Sequence, residues 1–178
     1  SLPLRFLLFY MGLLIPGLIL VALMVYASTK IKKTAAAAFE PETIETEKFV
    51  IEKPDGFLNI INHDPALELD AYSRDFGVEN TADVRQARIE IRHYRVCKMT
   101  EAVAMIKERS TIKSDISEIF NERKYRLIEA ERIDKGIGYR DIYKLTENGP
   151  DVIELRVIAL EETNDDISRK IDEIVLSF

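Results

Sequence analysis

The stretch "FLLFYMGLLIPGLILVALMVYAS" runs from Phe6 to Ser28 without a charged residue, and it constrains this chain more than any other feature. As a helix rising about 1.5 Å per residue it spans roughly 34 Å, enough for a hydrocarbon core of about 30 Å. A secretory signal's apolar region is usually only about 7–15 residues long. Val25-Tyr26-Ala27 offers small or apolar residues where a signal peptidase would cut, but the length favours a retained single-pass anchor over residues 1–29. Proline lacks an amide donor and crowds the preceding turn, so Pro16-Gly17 predicts a modest kink mid-span. Gly12, Pro16 and Gly17 mark the place where a second membrane helix could approach, although no GxxxG spacing is present.

Flanking charge bears on orientation. Arg5 and the α-amine precede the span, and Lys30, Lys32 and Lys33 follow it. The positive-inside rule therefore leans weakly towards a cytoplasmic C-terminal domain.

Beyond the span, "KIKKTAAAAFEPETIETE" (residues 30–47) reads as a stalk in which helix continues until Pro41 stops it. Residues 48–178 have the length of one domain with a core of its own. Of the 25 Lys+Arg only Arg5 precedes Lys30, which leaves 24 against 31 Asp+Glu, a balance of −7. That acidity excludes ordinary nucleic-acid binding, which needs a basic surface. The single cysteine, Cys97, excludes an intrachain disulfide framework and a cysteine-based zinc site.

The apolar pattern after residue 47 has period two. "KFVIEK" reads as a strand closed by the turn Pro54-Asp55-Gly56; "FLNIIN" and "ALELDAYS" follow, separated by His63-Asp64-Pro65. "ARIEIRHYRV" (87–96) alternates, with Ile89 and Ile91 inward and Arg88, Glu90 and Arg92 outward. A helix over 100–109 turns Ala102, Val103 and Ile106 to one side, with Thr100 as its N-cap, and 114–120 reads as a second short helix. "YRLIEAERI", "YRDIYKL" and "VIELRVIAL" are three further strands. Gly136 and Gly138 separate the first two and Asn148-Gly149-Pro150 the last two. At the C-terminus, Ile167, Ile171, Ile174 and Val175 form a stripe of period 3.6, with Thr163 and Asp166 at capping-box spacing. Strands, helix, strands, helix joined by short turns imply an antiparallel sheet flanked by helices, an α+β sandwich.

Two motifs near the ends of this region, "FVIEKPDGF" and "IDEIVLSF", resemble the PsbP-like superfamily, which includes the DcrB-like lipoproteins. The resemblance covers about residues 48–178. It implies a central antiparallel sheet with helices on its faces. It also implies a non-enzymatic accessory role, commonly extracytoplasmic, in binding or stabilising membrane protein complexes. That compartment opposes the three lysines, and the extracytoplasmic side is the expectation carried forward.

Reactive constellations are scarce. His63 sits in a turn, and His93 and Cys97, four apart on an extended strand, would lie about 13 Å apart, too far to share a metal or a proton. "EETNDD" (161–166) lacks the spacing and glycine of an EF-hand loop, and Asp165 and Asp166 suit a helix N-terminus instead. "GIG" (136–138) lies between strands and reads as a hairpin turn. No GxSxG, Walker or HExxH motif is present, and neither a cofactor nor a catalytic residue is expected.

"RQARIEIRHYR" (85–95) is the one basic stretch in an acidic domain. Arg88, Arg92 and Tyr94 share its outward face and could dock a partner that offers carboxylates or lipid head groups; paired with acids on neighbouring strands, the same face would be purely structural. The expectation is a single-pass, membrane-anchored, non-enzymatic accessory subunit. Its partners would be the lipid bilayer and the integral subunits of a larger complex. The alternative is a membrane-tethered domain that holds a small ligand between sheet and helix.

Overall fold

The computed structural model describes the backbone from Leu2 to Phe178 and the side chains from Pro16 onward. The chain divides into two compact units, residues 1–38 and 39–178. The first is a single helix, α1 (Leu2–Ala37), with Pro16 in its interior. Its described apolar side chains, Leu18 to Tyr26 and Ile31, are more than half exposed, all around the helix. The hydroxyls of Thr29 and Thr34 bond back to the carbonyls of Val25 and Lys30 at 2.8 and 3.0 Å. Among the described residues no helix is long and apolar enough to cross a membrane. The uncharged run starts ten residues before Pro16, so the first part of the expected anchor, with Gly12, lies outside the described side chains.

Helix continues through the alanine run to Ala37, and Phe39 then opens the second unit. Residues 30–47, expected to be a stalk, also contain strand β1 (Glu42–Glu45). It pairs antiparallel with β2 (Val50–Lys53) and turns Ile44 towards the core. The main sheet has seven antiparallel strands: β3 (Phe57–Asn59), β4 (Leu67–Ser73), β5 (Ala87–Tyr94), β6 (Thr111–Phe120), β7 (Arg123–Asp134), β8 (Ile137–Asn148) and β9 (Asp151–Leu160). Their spatial order is β3-β4-β5-β9-β8-β7-β6. Helix α2 (Met99–Arg109) joins β5 to β6, and α3 (Asp165–Ser177) follows β9.

Two-residue turns explain the long β6–β7–β8 meander. Asn121-Glu122 and Lys135-Gly136 all have positive φ, the geometry whose twist matches that of the paired strands. Residues 114–120, expected as a short helix, form the edge strand β6 instead. Ile116, Ile119 and Phe120 are spaced as on a helix face. That spacing misleads because an edge strand exposes both faces and needs no alternation.

Each face of the sheet has its own apolar cluster. On one, Ile89 and Ile91 of β5 and Ile153, Leu155 and Val157 of β9 meet Ile167, Ile171 and Ile174 of α3, with Phe49 and Ile51 from beside the β1–β2 hairpin. On the other, Ala102, Val103 and Ile106 of α2 meet Ile128, Tyr143, Leu145 and Val152. Both helices start away from the threonines expected to cap them. Asn164 caps α3, its side-chain oxygen accepting from the Ile167 amide at 2.8 Å. Lys98 is the N-cap of α2, and its amide donates to Glu101 at 3.0 Å.

Candidate interaction face

Alternation along β5 sends Ile89 and Ile91 to the α3 face and Arg88, Glu90, Arg92 and Tyr94 to the α2 face. Charges in a sheet flanked by helices must be paired where they are buried, and the neighbouring strands supply the partners. Asp70 on β4 is 2% exposed and accepts two bonds from Arg88, Nε to Oδ1 and Nη2 to Oδ2, both at 2.8 Å. Glu90 bridges Arg88 at 3.3 Å and Arg156 of β9 at 3.6 Å. Arg156 donates to Asp141 Oδ2 on β8 at 2.6 Å. The same oxygen accepts from Arg132 Nε of β7 at 3.1 Å and from the Tyr143 hydroxyl at 3.2 Å.

A second group lies beside it. Glu154 of β9 accepts from Arg109, at the end of α2, at 3.2 Å and from the Tyr94 hydroxyl at 3.2 Å. The guanidiniums of Arg109 and Arg156 lie 5.3 and 5.4 Å from the centre of the Tyr143 ring, which links the two groups through cation–π contact.

Burial sets the electrostatics. It raises the Glu154 carboxyl above its ordinary range against the pull of Arg109. It pushes Tyr94 up to about 12, with the Glu154 charge adding to the effect. Tyr143 is raised mainly by burial too. Both phenols therefore act near neutral pH as donors and not as acids. The network is not closed, because Asp141 Oδ1 and Arg156 Nε are buried without a hydrogen-bond partner. Such atoms cost about 1–3 kcal/mol each.

The residues expected on the docking face thus separate. Arg88 is held by Asp70 and Glu90, and Tyr94 by Glu154. Arg85 lies over the rings of Phe76 and Tyr72, at 3.8 and 4.7 Å. Arg92, half-buried opposite Glu154, has no carboxylate within ion-pair distance among the described residues. Four carboxylates (Asp70, Glu90, Asp141, Glu154) meet four paired guanidiniums (Arg88, Arg109, Arg132, Arg156), and Arg92 is a fifth cation on that face. Apart from Arg88, Arg92, Tyr94 and the outward Glu90, the members of this array escaped sequence reading. Their signal was charge at alternate positions inside otherwise apolar strands, as at Asp70, Asp141 and Glu154.

The histidines and the cysteine do not converge. His93 Nε2 lies 2.7 Å from Asp151 and Nδ1 lies 3.5 Å from Glu68, while the Cys97 amide donates to the Pro150 carbonyl at 3.1 Å. His63 lies 2.9 Å from the Asp64 carbonyl within its turn. Among the described residues, no cluster of three or more His, Cys, Asp or Glu side chains is placed to hold a metal ion. Of the residues expected at a helix–helix contact, Pro16 and Gly17 fall on α1, and a Cβ added to Gly17 would meet nothing within 4 Å.

Solved structures share the architecture. The cyanobacterial PsbP protein CyanoP from Synechocystis sp. PCC 6803 superposes with a TM-score of 0.54 at 10% identity, over 78% of this chain and 91% of its own. The fold is PsbP-like. LpqN of Mycobacterium tuberculosis, involved in cell envelope biogenesis, superposes with a TM-score of 0.55 at 10% identity over 77% of this chain and 88% of its own. A Bacteroides thetaiotaomicron protein reaches 0.51 at 10% identity, over 79% of this chain and 47% of its own. No protein-family model matches the sequence, and no curated protein matches it.

Proposed function

We propose that this chain is a non-enzymatic accessory protein, tethered by a single membrane span over residues 1–29, whose PsbP-like unit binds and stabilises a membrane protein complex on the extracytoplasmic side. The observation that carries the reading is the β5 face, where Arg88, Arg109, Arg132 and Arg156 are each ion-paired while Arg92, whose charge reaches the buried Glu154 opposite, has no carboxylate within ion-pair distance among the described residues. The planar guanidinium of Arg92 suits bidentate recognition of a carboxylate on a protein surface. The uncharged run from Phe6 to Ser28 supports the tether. The side of the membrane follows the PsbP-like resemblance over the weaker bias of Lys30, Lys32 and Lys33. The partner is an integral subunit that presents acidic residues just above the bilayer.

Mild-detergent extraction of the full chain tests the reading. A stoichiometric integral-membrane partner is expected to co-purify and to be lost in the Arg92→Gln variant, which adds no charge opposite Glu154 and keeps a melting temperature near that of the parent. A clean monomer from both would contradict it.

A further inference from the structure

A cleft of about 490 Å³ opens on the α3 side of the sheet, beside the end of that helix and away from the β5 array. This volume lies within the range of about 300–1,000 Å³ usual for small-molecule sites. Phe49 and Phe178, buried with ring centroids 6.4 Å apart, form its floor, Leu176 is exposed at the rim, and the rest of the lining is mostly polar. Its polar wall comes from two strands. Arg123 and Tyr125 of β7 face the same side as Lys144 of β8, because Tyr125 pairs with Thr146 and Leu127 with Lys144.

Lys144 is the unusual member. It is 8% exposed, yet no carboxylate comes within ion-pair distance of it among the described residues. Its ammonium donates to the Val175 carbonyl at 2.7 Å and lies 4.8 Å from the centre of the Tyr125 ring. The carbonyl bond is the usual way a lysine finishes a helix C-terminus. It occupies one of three donors and neutralises no charge. Burial accordingly lowers the lysine's pKa, against the more distant pull of Glu118. Arg123, exposed at the mouth, also has no acidic partner among the described residues, whereas Lys48 is taken by Glu68 at 2.6 Å. Glu47 is the one acid lining the cleft. A buried ammonium with no ion-pair partner, an exposed guanidinium at the mouth and an aromatic floor together suit one anionic group joined to an apolar body.

We infer that this cleft binds a single-chain anionic amphiphile, its carboxylate or phosphate on Lys144 and Arg123 and its chain against Phe49, Phe178 and Leu176. The site is separate from the partner-docking face and stands independently of it. A membrane-bound chain would meet such molecules as free fatty acids or as lipid phosphates.

The test uses the full chain in phosphatidylcholine nanodiscs and a dodecanoate probe carrying a photoreactive diazirine. Cross-links are expected on the peptides around 120–125 and 174–178. Unlabelled dodecanoate should compete, and dodecyl phosphate in parallel separates the two sources by its relative strength. Dodecyltrimethylammonium, dodecanol and inorganic phosphate should not compete. Lys144→Met should weaken competition by dodecanoate about tenfold, the effect of one charge-assisted bond, and the exposed Arg123→Gln should weaken it in the same direction without affecting folding. Cross-links confined to α1 would overturn the inference, and so would equal competition by the cationic or neutral compounds. Unchanged competition in both variants would overturn it as well.

Discussion

Arg88 and Asp70 are joined by two hydrogen bonds of 2.8 Å across adjacent strands, with the carboxylate 2% exposed. Arg88 stands directly opposite Tyr72, so it reaches Asp70 diagonally across β4 and β5. Four positions along the same strand, Arg92 has the same side chain on the same face and no such partner among the described residues. The two arginines therefore separate a folding role from the proposed recognition role. Arg88→Ala leaves the buried Asp70 carboxylate with no ion-pair partner among the described residues and should cost about 3 kcal/mol. Arg92→Ala should change stability by no more than about 0.5 kcal/mol. Chemical denaturation of both variants checks this, and equal losses would show that Arg92 has a structural role as well.

Ile171 is fully buried where α3 meets the sheet. Ile171→Asp places an unpaired charge in that cluster, and its expected cost of more than about 4 kcal/mol is a large share of the roughly 5–15 kcal/mol that holds an ordinary domain folded. A thermal melt followed by circular dichroism reads it. A melting temperature within a few degrees of the parent would contradict the packing of this face.

Asp115 ties β6 to β7 and to α2. Arg126 bonds its carboxylate closely, and Lys107 approaches at 3.2 Å. The Arg126 contact, with help from Lys107, holds the carboxyl below its ordinary value. Its folded pKa is thus depressed, so its contribution is present above about pH 4 and is lost as pH falls through the lower folded value. Asp115→Asn should lose up to about 1 kcal/mol at neutral pH and draw level with the parent in acid. Parallel stability curves across that range would contradict the ion pair.

The orientation of the proposed tether has a direct test. Ala37 ends α1 and is exposed. With Cys97 changed to Ser, a cysteine at position 37 should react with an impermeant maleimide in intact cells. Labelling only after permeabilisation would place the folded unit inside and return the weight to the three lysines.

Much of the architecture could be read before any coordinates. The stripe Ile167, Ile171, Ile174 packs as its period requires, and the alternation through β5, β8 and β9 places the strands that carry the core. The misreadings cluster where packing gives no periodic signal. Strand β6 lies at the sheet edge, β1 contributes chiefly Ile44 to the core, and the caps differ by one or two residues where several polar side chains compete. The charged array was half legible. Outward arginines on β5 follow from alternation, but their partners are set by a strand order that inserts β9 between β5 and β8. No local pattern shows that Glu90 of β5 and Asp141 of β8 share Arg156 of β9.

The central claim is that the β5 face meets a membrane partner. A photoreactive phenylalanine analogue in place of Arg92, in the full chain and in native membranes, tests it most directly. Asp172, exposed on α3 across the sheet, is the control position. One discrete adduct with an integral membrane protein is expected from position 92 and none from position 172. Adducts from both positions alike, or from neither, would contradict it.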